Sequence, residues 1–439
     1  MVIRKKHINK YLILLCVFSC NIIVAQNPIL KGLGVSDPHV RVFNDTIFLY
    51  SGHDASVNDK TWVMKDWRLF SSTDLLNWTI RDTISPKENY MADHSTDCWA
   101  GDAAYRNGKY YFYFSDRTRG VGVMTSNSPT GPFTDALGKP LVAPMHDPTV
   151  LINDDINKTP YLIYGDKQGG GFHIAQLNED MISVAETPKP IQINGKEWDS
   201  APHWMDKNYI FKYKDTYYLS WGGDYAISKN IYGPYECLGS VGNGYKLGKF
   251  SHGSFFNWKG QFYHIWCRYI RDGYKFRESM ITYCHIDNNG KIVTDVDFLN
   301  QHFSNGVGQY QASWKKIEAE WFYEVSEGVK KSGTKDEGFV LTEIKNHDYV
   351  KFSNVVFDKD YKNIVLKIKF LGEKGKLKIR TDSPTGKTIG KFSLNSKDQD
   401  KKFNELTIPI KAKKGTKDIY ITFEGKENDS YHLDWIRFE

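Results

Sequence analysis

Ala104-Tyr105-Arg106-Asn107-Gly108-Lys109-Tyr110-Tyr111-Phe112-Tyr113 reads as a strand, a two-residue turn and a second strand. Asn-Gly supplies the positive φ angles that tight hairpin turns demand, and the aromatic flanks suit extended chain. The pattern occurs four more times: at 41–50 around Asn44-Asp45, at 150–164 with a turn between Asp154 and Asn157, at 210–221 around Lys214-Asp215, and at 255–266 around Lys259-Gly260. The hairpins start roughly 45 to 63 residues apart, and no long amphipathic helical stretch lies between them. Radial repetition of small sheets leaves few exposed edges, so the spacing predicts an all-β fold, a five-bladed β-propeller over residues 27–310.

From residue 314 onward the text is Lys-rich, with short alternating runs such as Tyr349-Val350-Lys351-Phe352 and Ile419-Tyr420-Ile421-Thr422-Phe423. Gly-containing and Asp-Ser-Pro-Thr-Gly turns separate them. This predicts a β-sandwich of jelly-roll type over 314–439, joined to the propeller near 308–313.

Ahead of both lies a leader. Arg4, Lys5, Lys6 and Lys10 precede an apolar run over 11–18, and Ala25 offers a small residue before Gln26. That pattern predicts a signal peptide over residues 1–25 and a secreted or periplasmic protein. Val17-Phe18-Ser19-Cys20 is a loose lipoprotein box, so anchoring to an outer membrane through Cys20 stays open. No later segment is apolar over a membrane-spanning length.

The 58 Lys and Arg against 52 Asp and Glu give a formal net charge of +6, small for 439 residues. With no basic stripe, nucleic acid is not an expected partner, and a monomer is expected. The scattered Cys98, Cys237, Cys267 and Cys284 match neither a disulfide framework nor a zinc site, and read as buried thiols.

In a propeller the innermost strands line a central channel, and residues just ahead of each hairpin converge there. Three acids take such places: Asp37 in Ser36-Asp37-Pro38-His39, Asp147 in His146-Asp147-Pro148-Thr149, and Asp206 in Met205-Asp206-Lys207-Asn208. A lone Asp-Pro is usually a turn device. Two of them at matching repeat positions point to chemistry.

Over roughly 34–300 the sequence resembles glycoside hydrolase family 43. The resemblance rests on the two Asp-Pro pairs, on Trp99-Ala100-Gly101-Asp102 ahead of the second hairpin, and on His252-Gly253-Ser254. It implies an inverting hydrolase, whose base and acid stand roughly 6.5–9.5 Å apart across the sugar. Asp37 then matches the general base and Asp147 the carboxylate that orients the acid and tunes its pKa. For the acid, an ungapped count back from Tyr217-Tyr218-Leu219 selects Asp206. Matching Ser200-Ala201-Pro202-His203 to the family's Glu-Ala-Pro text leaves Glu197 and Asp199 as alternatives. The resemblance further implies Trp99, Asp102 and Arg277 as substrate-binding residues, with Arg277 and Glu278 paired on the channel wall. It offers His252 as a ligand for a channel ion.

The C-terminal region resembles a family 6 carbohydrate-binding module, opening at Ile317-Glu318-Ala319-Glu320 and closing at Leu433-Asp434-Trp435-Ile436. The resemblance implies a structural Ca²⁺ held by Glu318, Glu320 and Asp434, hard oxygen ligands tying the two ends together. In the module's sugar cleft Phe403 stands for one clamping ring, Glu343 falls where the other belongs, and His432 replaces an Asn. The whole implies an exo-acting glycosidase that releases pentose from plant or algal polysaccharide. β-Xylosidase ranks first, with α-L-arabinofuranosidase and galactan-cleaving activities next. The rival reading is a non-catalytic surface glycan-binding protein whose propeller site has decayed.

Overall fold

The computed structural model describes residues 27–439 apart from 117, 167–170, 196–206, 243–249, 251 and 396–401. The five hairpins form, and each opens a separate sheet, antiparallel except where Ile193–Asn194 pairs in parallel at the edge of the fourth. The first sheet runs outward from Val35–Phe43 through Thr46–Asp54 and Met64–Ser72 to Thr79–Ile84. The other four begin with Cys98–Arg106, Met145–Ile152, Asn208–Tyr213 and Gly253–Trp258. These innermost strands touch one another in a closed ring, the last against the first. The molecule is a five-bladed propeller. Asn44 and Asp45, Asn107 and Gly108, and Lys259 and Gly260 all take positive φ, the turn geometry whose twist matches that of the flanking strands.

The first three inner strands carry one extra residue at the same place. Ser36 pairs with Gly52 and His39 with Tyr50; Trp99 pairs with Ser115 and Asp102 with Tyr113; His146 pairs with Gly165 and Thr149 with Ile163. In each case a three-residue step faces a two-residue step. The resulting bulges sit at Asp37-Pro38, Ala100-Gly101 and Asp147-Pro148. Asp37 and Asp147 adopt φ of 48° and 51°, a left-handed conformation that Asp tolerates better than most residues and that bulges hold beside functional sites. At the middle bulge only Gly fits, because a Cβ on Gly101 would lie 2.6 Å from the Tyr113 carbonyl oxygen.

Counting seven residues back from the first turn residue of each hairpin gives one equivalent position per blade: Asp37, Ala100, Asp147, Lys207 and His252. Two residues further down each strand lies a second set: His39, Asp102, Thr149, Tyr209 and Ser254. The channel is thus built in layers.

The C-terminal region is a curled sheet of strands folded into a sandwich. One half contains Tyr349–Phe357, Gly415–Glu424, Lys374–Thr381 and Thr388–Asn395; the other contains Asn404–Ala412, Tyr361–Leu371, Ser430–Phe438, Gly338–Ile344 and Lys330–Thr334. A single bridge, Gly390 to Ile410, links the halves. Alternation explains the packing: Ile408, Ile410 and Ala412 point inward while Pro409 and Lys411 are exposed. Tyr310–Gln311 already pairs in parallel with this sheet. The chain has therefore crossed to the sandwich by Tyr310.

The two domains share one apolar core. Ile29, Phe256, Tyr263 and Tyr283 of the propeller pack in the same cluster as Trp321, Phe322 and Phe352 of the sandwich. Gln261 Nε2 donates to the carbonyls of Glu320 and Phe322, at 2.8 and 2.9 Å. Asp295 caps the helix Val296–His302 through the Phe298 amide, and its other oxygen accepts from Trp321 Nε1 at 2.6 Å. At the chain's start the Asn27 side chain pairs with both backbone groups of Ile281, sealing the first blade against the fifth. The four cysteines outside the leader are buried and form no disulfide, as expected. Among the described residues no helix is long and apolar enough to cross a membrane.

Candidate active site

The upper layer opens into a pocket. Asp37, Ala100, Asp147 and His252, four of the five equivalent positions, line its floor, and Trp62, Met64, Trp99, Tyr269 and Arg277 form its walls. The Trp62 and Trp99 rings meet edge to face, 6.4 Å between centroids. Such faces suit the apolar side of a sugar ring.

Asp37 is 2% exposed, and its Oδ1 is doubly engaged. Arg277 Nη1 donates to it at 2.7 Å, and His252 Nδ1 lies 2.5 Å away. The Asp37 amide donates to Cys267 Sγ at 3.4 Å. Arg277 is clamped from behind by Asp54, whose oxygens accept from Nε and Nη2 at 2.9 Å each and from the Arg277 amide at 2.7 Å. Burial pushes the Asp54 carboxyl up, with Arg277 pulling the other way. Two carboxylates therefore hold one guanidinium in a fixed plane, and that plane fixes the base. Asp147 takes its own place through its amide, which donates to Ser115 Oγ at 3.1 Å, and through its carbonyl, which accepts from Asn208 Nδ2 at 2.8 Å. Its Oδ2 accepts from the Lys207 amide at 3.2 Å.

Beneath the pocket the second layer closes the channel with a polar plug. Asp102 is fully buried there, forked by Arg41 and accepting from the Val150 amide at 2.7 Å and Thr149 Oγ1 at 3.1 Å. Burial works to raise its carboxyl, but Arg41 and then His39 overcome this and hold it at about 2. Asp102, expected to touch substrate, is not among the pocket's described lining: the bulge at Ala100-Gly101 puts it one layer down. Burial also holds the His39 imidazole well below its usual range, despite Asp102. Glu278, expected to pair with Arg277 on the channel wall, instead accepts from the Gly32 amide.

Asp206, Glu197 and Asp199, the three candidates for the acid, lie outside the described residues, as do the leader and Cys20. The residues that sequence reasoning missed are Asp54, His39, Lys207, Trp62 and Tyr269. His39 and Lys207 stand inside the quoted texts Ser36-Asp37-Pro38-His39 and Met205-Asp206-Lys207-Asn208, where their places ahead of a hairpin were the signal; Asp54, Trp62 and Tyr269 sit in no motif.

A match to the family model described as glycosyl hydrolases family 43 covers residues 25–292. The chain belongs to this family. The enzyme hydrolyses glycosyl bonds, and its residues 318–439 match the carbohydrate binding module of family 6. Among curated relatives, an arabinoxylan arabinofuranohydrolase of Paenibacillus polymyxa is 26% identical over 91% of this chain and 72% of its own. One from Bacillus subtilis is 24% identical over 94% and 92%. A xylosidase/arabinosidase of Bacteroides ovatus is 26% identical over 59% of this chain and 94% of its own. The solved β-xylosidase/α-arabinofuranosidase from a compost metagenome superposes with a TM-score of 0.53 at 26% identity, covering 61% of this chain and 96% of that one.

His252 turns its Nδ1 to Asp37, and the channel below is filled by a lysine ammonium; these residues do not fit a channel ion. In the sandwich, Glu318 pairs with Lys316, and Asp434 with Lys367 at 2.8 Å. Among the described residues no three His, Cys, Asp or Glu groups stand together as a ready ligand set. Glu320 alone has the mark of a ligand: it is buried, and its Oε2 has no hydrogen-bond partner. Burial first, and Glu318 second, push its carboxyl well above the usual range. Of the residues expected in a sugar cleft, Phe403 and His432 lie 6.5 Å apart between ring centroids, while Glu343 is exposed and paired with Lys330.

Proposed function

We propose that the enzyme is an exo-acting, inverting glycosidase that removes pentose from arabinoxylan-type polysaccharide, with α-L-arabinofuranose ahead of β-xylose. The observation that carries the chemistry is the pairing of Asp37 and Asp147 at equivalent bulges on the floor of one aromatic-walled pocket. Asp37, its Oδ1 held by Arg277 and His252, takes a proton from water as that water attacks the anomeric carbon. Asp147 orients and tunes the acid, which is Asp206, Glu197 or Asp199. The order of sugars reverses the expectation from sequence. It is supported by the names of the two relatives that align across both domains, each an arabinoxylan arabinofuranohydrolase.

The proposal includes export through the leader, with Cys20 as an alternative lipid anchor, and a monomeric state. It includes a structural Ca²⁺ in the sandwich, resting on the orphaned Glu320 oxygen; an ion entering there displaces Lys316 and Lys367 from Glu318 and Asp434. The deciding experiment is a panel of aryl pentosides and arabinoxylan, with products followed by NMR from the first seconds. Initial release of the inverted anomer of arabinose supports the reading; retained anomer, or internal chain cuts without free pentose, overturns it. No hydrolysis of any substrate, with sugar binding intact, establishes the glycan-binding alternative.

A further inference from the structure

The walls of the pocket come from the two blades where the ring closes. Trp62 lies on loop 55–63 of the first blade, between the strands Thr46–Asp54 and Met64–Ser72; Tyr269 heads the hairpin that joins Gln261–Tyr269 to Arg277–Ile286 in the fifth. Arg277 fastens both ends of that loop, binding Asp54 as described and donating from Nη2 to Met64 Sδ at 3.5 Å. At its base the loop closes on itself, the Ala55 amide donating to the Val63 carbonyl at 3.0 Å. Its outer part stands in solvent, with Val57 exposed and Trp62 only half-buried.

One residue ties that outer part down. The Lys275 amide donates to the Asp59 carbonyl at 2.9 Å. Its Nζ lies over the Trp62 ring, 4.1 Å from the centroid, and 5.3 Å from the centroid of Tyr269. Among the described residues no carboxylate pairs with this ammonium, so the two rings are its partners. An ammonium within about 6 Å of an aromatic centroid is attracted by the ring quadrupole, and Trp offers the strongest face. Trp62 is thus gripped by Lys275 through its face and by Trp99 in the edge-to-face contact already described. An indole on a solvent loop would otherwise have to be ordered when a sugar arrives, and that ordering subtracts from affinity.

We propose that Lys275 is a positioning residue of the pocket, whose ammonium sets the Trp62 ring in place before the sugar enters. The inference rests on the proposed reading of this pocket as the pentose site. Its test therefore includes a readout that needs no sugar.

Three variants of the full-length enzyme decide it: Lys275→Met, which keeps the stem and loses the charge; Lys275→Arg, which keeps the charge; and Trp62→Leu. On whichever aryl pentoside wild type cleaves, Lys275→Met raises KM about two- to thirtyfold, the span of a cation–π contact. It lowers kcat by less, since a wall serves ground and transition states alike. Lys275→Arg stays nearer to wild type. In the Trp62→Leu background Lys275→Met adds little more, because the contact is already gone. Coupled indoles give a circular-dichroism couplet, and the part of it that Trp62→Leu removes reports the Trp62–Trp99 pair. Lys275→Met weakens that part and Lys275→Arg keeps it. The inference is overturned if Lys275→Met leaves KM unchanged, if Lys275→Arg is as impaired as Lys275→Met, if the loss persists undiminished in Trp62→Leu, or if the couplet is as strong in Lys275→Met as in wild type. If wild type cleaves nothing, the couplet alone decides the role of Lys275, and the failure belongs to the functional reading.

Discussion

Replacing Arg277 by Met removes the charge that holds Asp37 while keeping much of the volume. Nη1 and Oδ1 are 2.7 Å apart, which places the charge centres about 4 Å apart; at an effective dielectric of about 20 their attraction is about 4 kcal/mol. Water entering the vacated space returns part of that, so the acidic limb of kcat/KM moves up by about 1–3 pH units, the range for a carboxylate beside an arginine. The sign follows from which form is favoured: a cation stabilises the ionised base, so its loss makes Asp37 hold its proton to higher pH. The variant also strands Asp54, which loses two side-chain hydrogen bonds and keeps the one from the residue 277 amide. Breaking a buried pair costs about 3–5 kcal/mol, which at ~2–4 °C per kcal/mol lowers the melting temperature by about 10 °C or more. The assay is kcat/KM from pH 4 to 9 on an aryl pentoside, run well below that temperature. Asp54→Asn is the companion: it loosens the guanidinium but leaves its charge, so kcat falls without an upward move of the limb. A folded Arg277→Met enzyme whose acidic limb coincides with that of wild type refutes the assignment of Arg277 as the base's partner.

Further predictions concern the acid, the base and the seam. Asp37→Asn keeps shape but loses the proton acceptor, and kcat falls at least about 10²-fold; near-normal turnover on a good substrate removes Asp37 from the mechanism. Among Asp206→Ala, Glu197→Ala and Asp199→Ala, the true acid's variant spares a dinitrophenyl glycoside and loses the natural linkage, because dinitrophenolate departs without a proton; three variants that all lack this signature place the acid elsewhere. In EDTA, Glu320→Gln removes a buried ionisable group held above its usual range. Its penalty on folding grows as pH rises through the folded value, so the variant melts higher than wild type at pH 7, while added Ca²⁺ raises wild type more than the variant; identical melting with and without Ca²⁺ rejects the ion. His285 is depressed to about 4, by burial first and Lys331 second. It stays neutral in the fold while the unfolded chain takes up protons below about 6.5. Stability is therefore lost as pH falls from about 6.5 toward 4, and His285→Phe, set against Phe339, shows a shallower loss by thermal melting in that window.

The propeller was readable because its turns are chemically explicit. Asn107-Gly108 and Lys259-Gly260 announce hairpins whatever surrounds them, and the repeat of Asp-Pro ahead of the first and third hairpins marks the floor of the site. What escaped was anything that depends on counting across a bulge. Asp102 lies two residues past the equivalent of Asp37, and its motif text gives no hint that it faces Arg41 instead of a sugar. Asp54 was invisible for another reason: its partner Arg277 is 223 residues away, and no local pattern encodes a pairing between the first blade and the last. The pairing of Lys316 with Glu318 and of Lys367 with Asp434 was hidden for the same reason, since these lysines are ordinary surface residues in sequence and become counter-charges only once the strands pair.

The seam between the domains changes what the sandwich is for. Trp321 donates to Asp295, Gln261 reaches across to two sandwich carbonyls, and Lys331 Nζ bonds Gln261 Oε1 and the Cys284 carbonyl at 2.8 and 2.9 Å. A module on a tether would search solution for polymer and hand it over. One mortised into the fifth blade holds a fixed bearing to the pocket, so any polymer held on it would meet the pocket from one direction only. The same joinery forbids trimming: a protein ended at residue 313 would leave the fifth blade's aromatic flank bare, and its natural fate is aggregation before any question of catalysis arises.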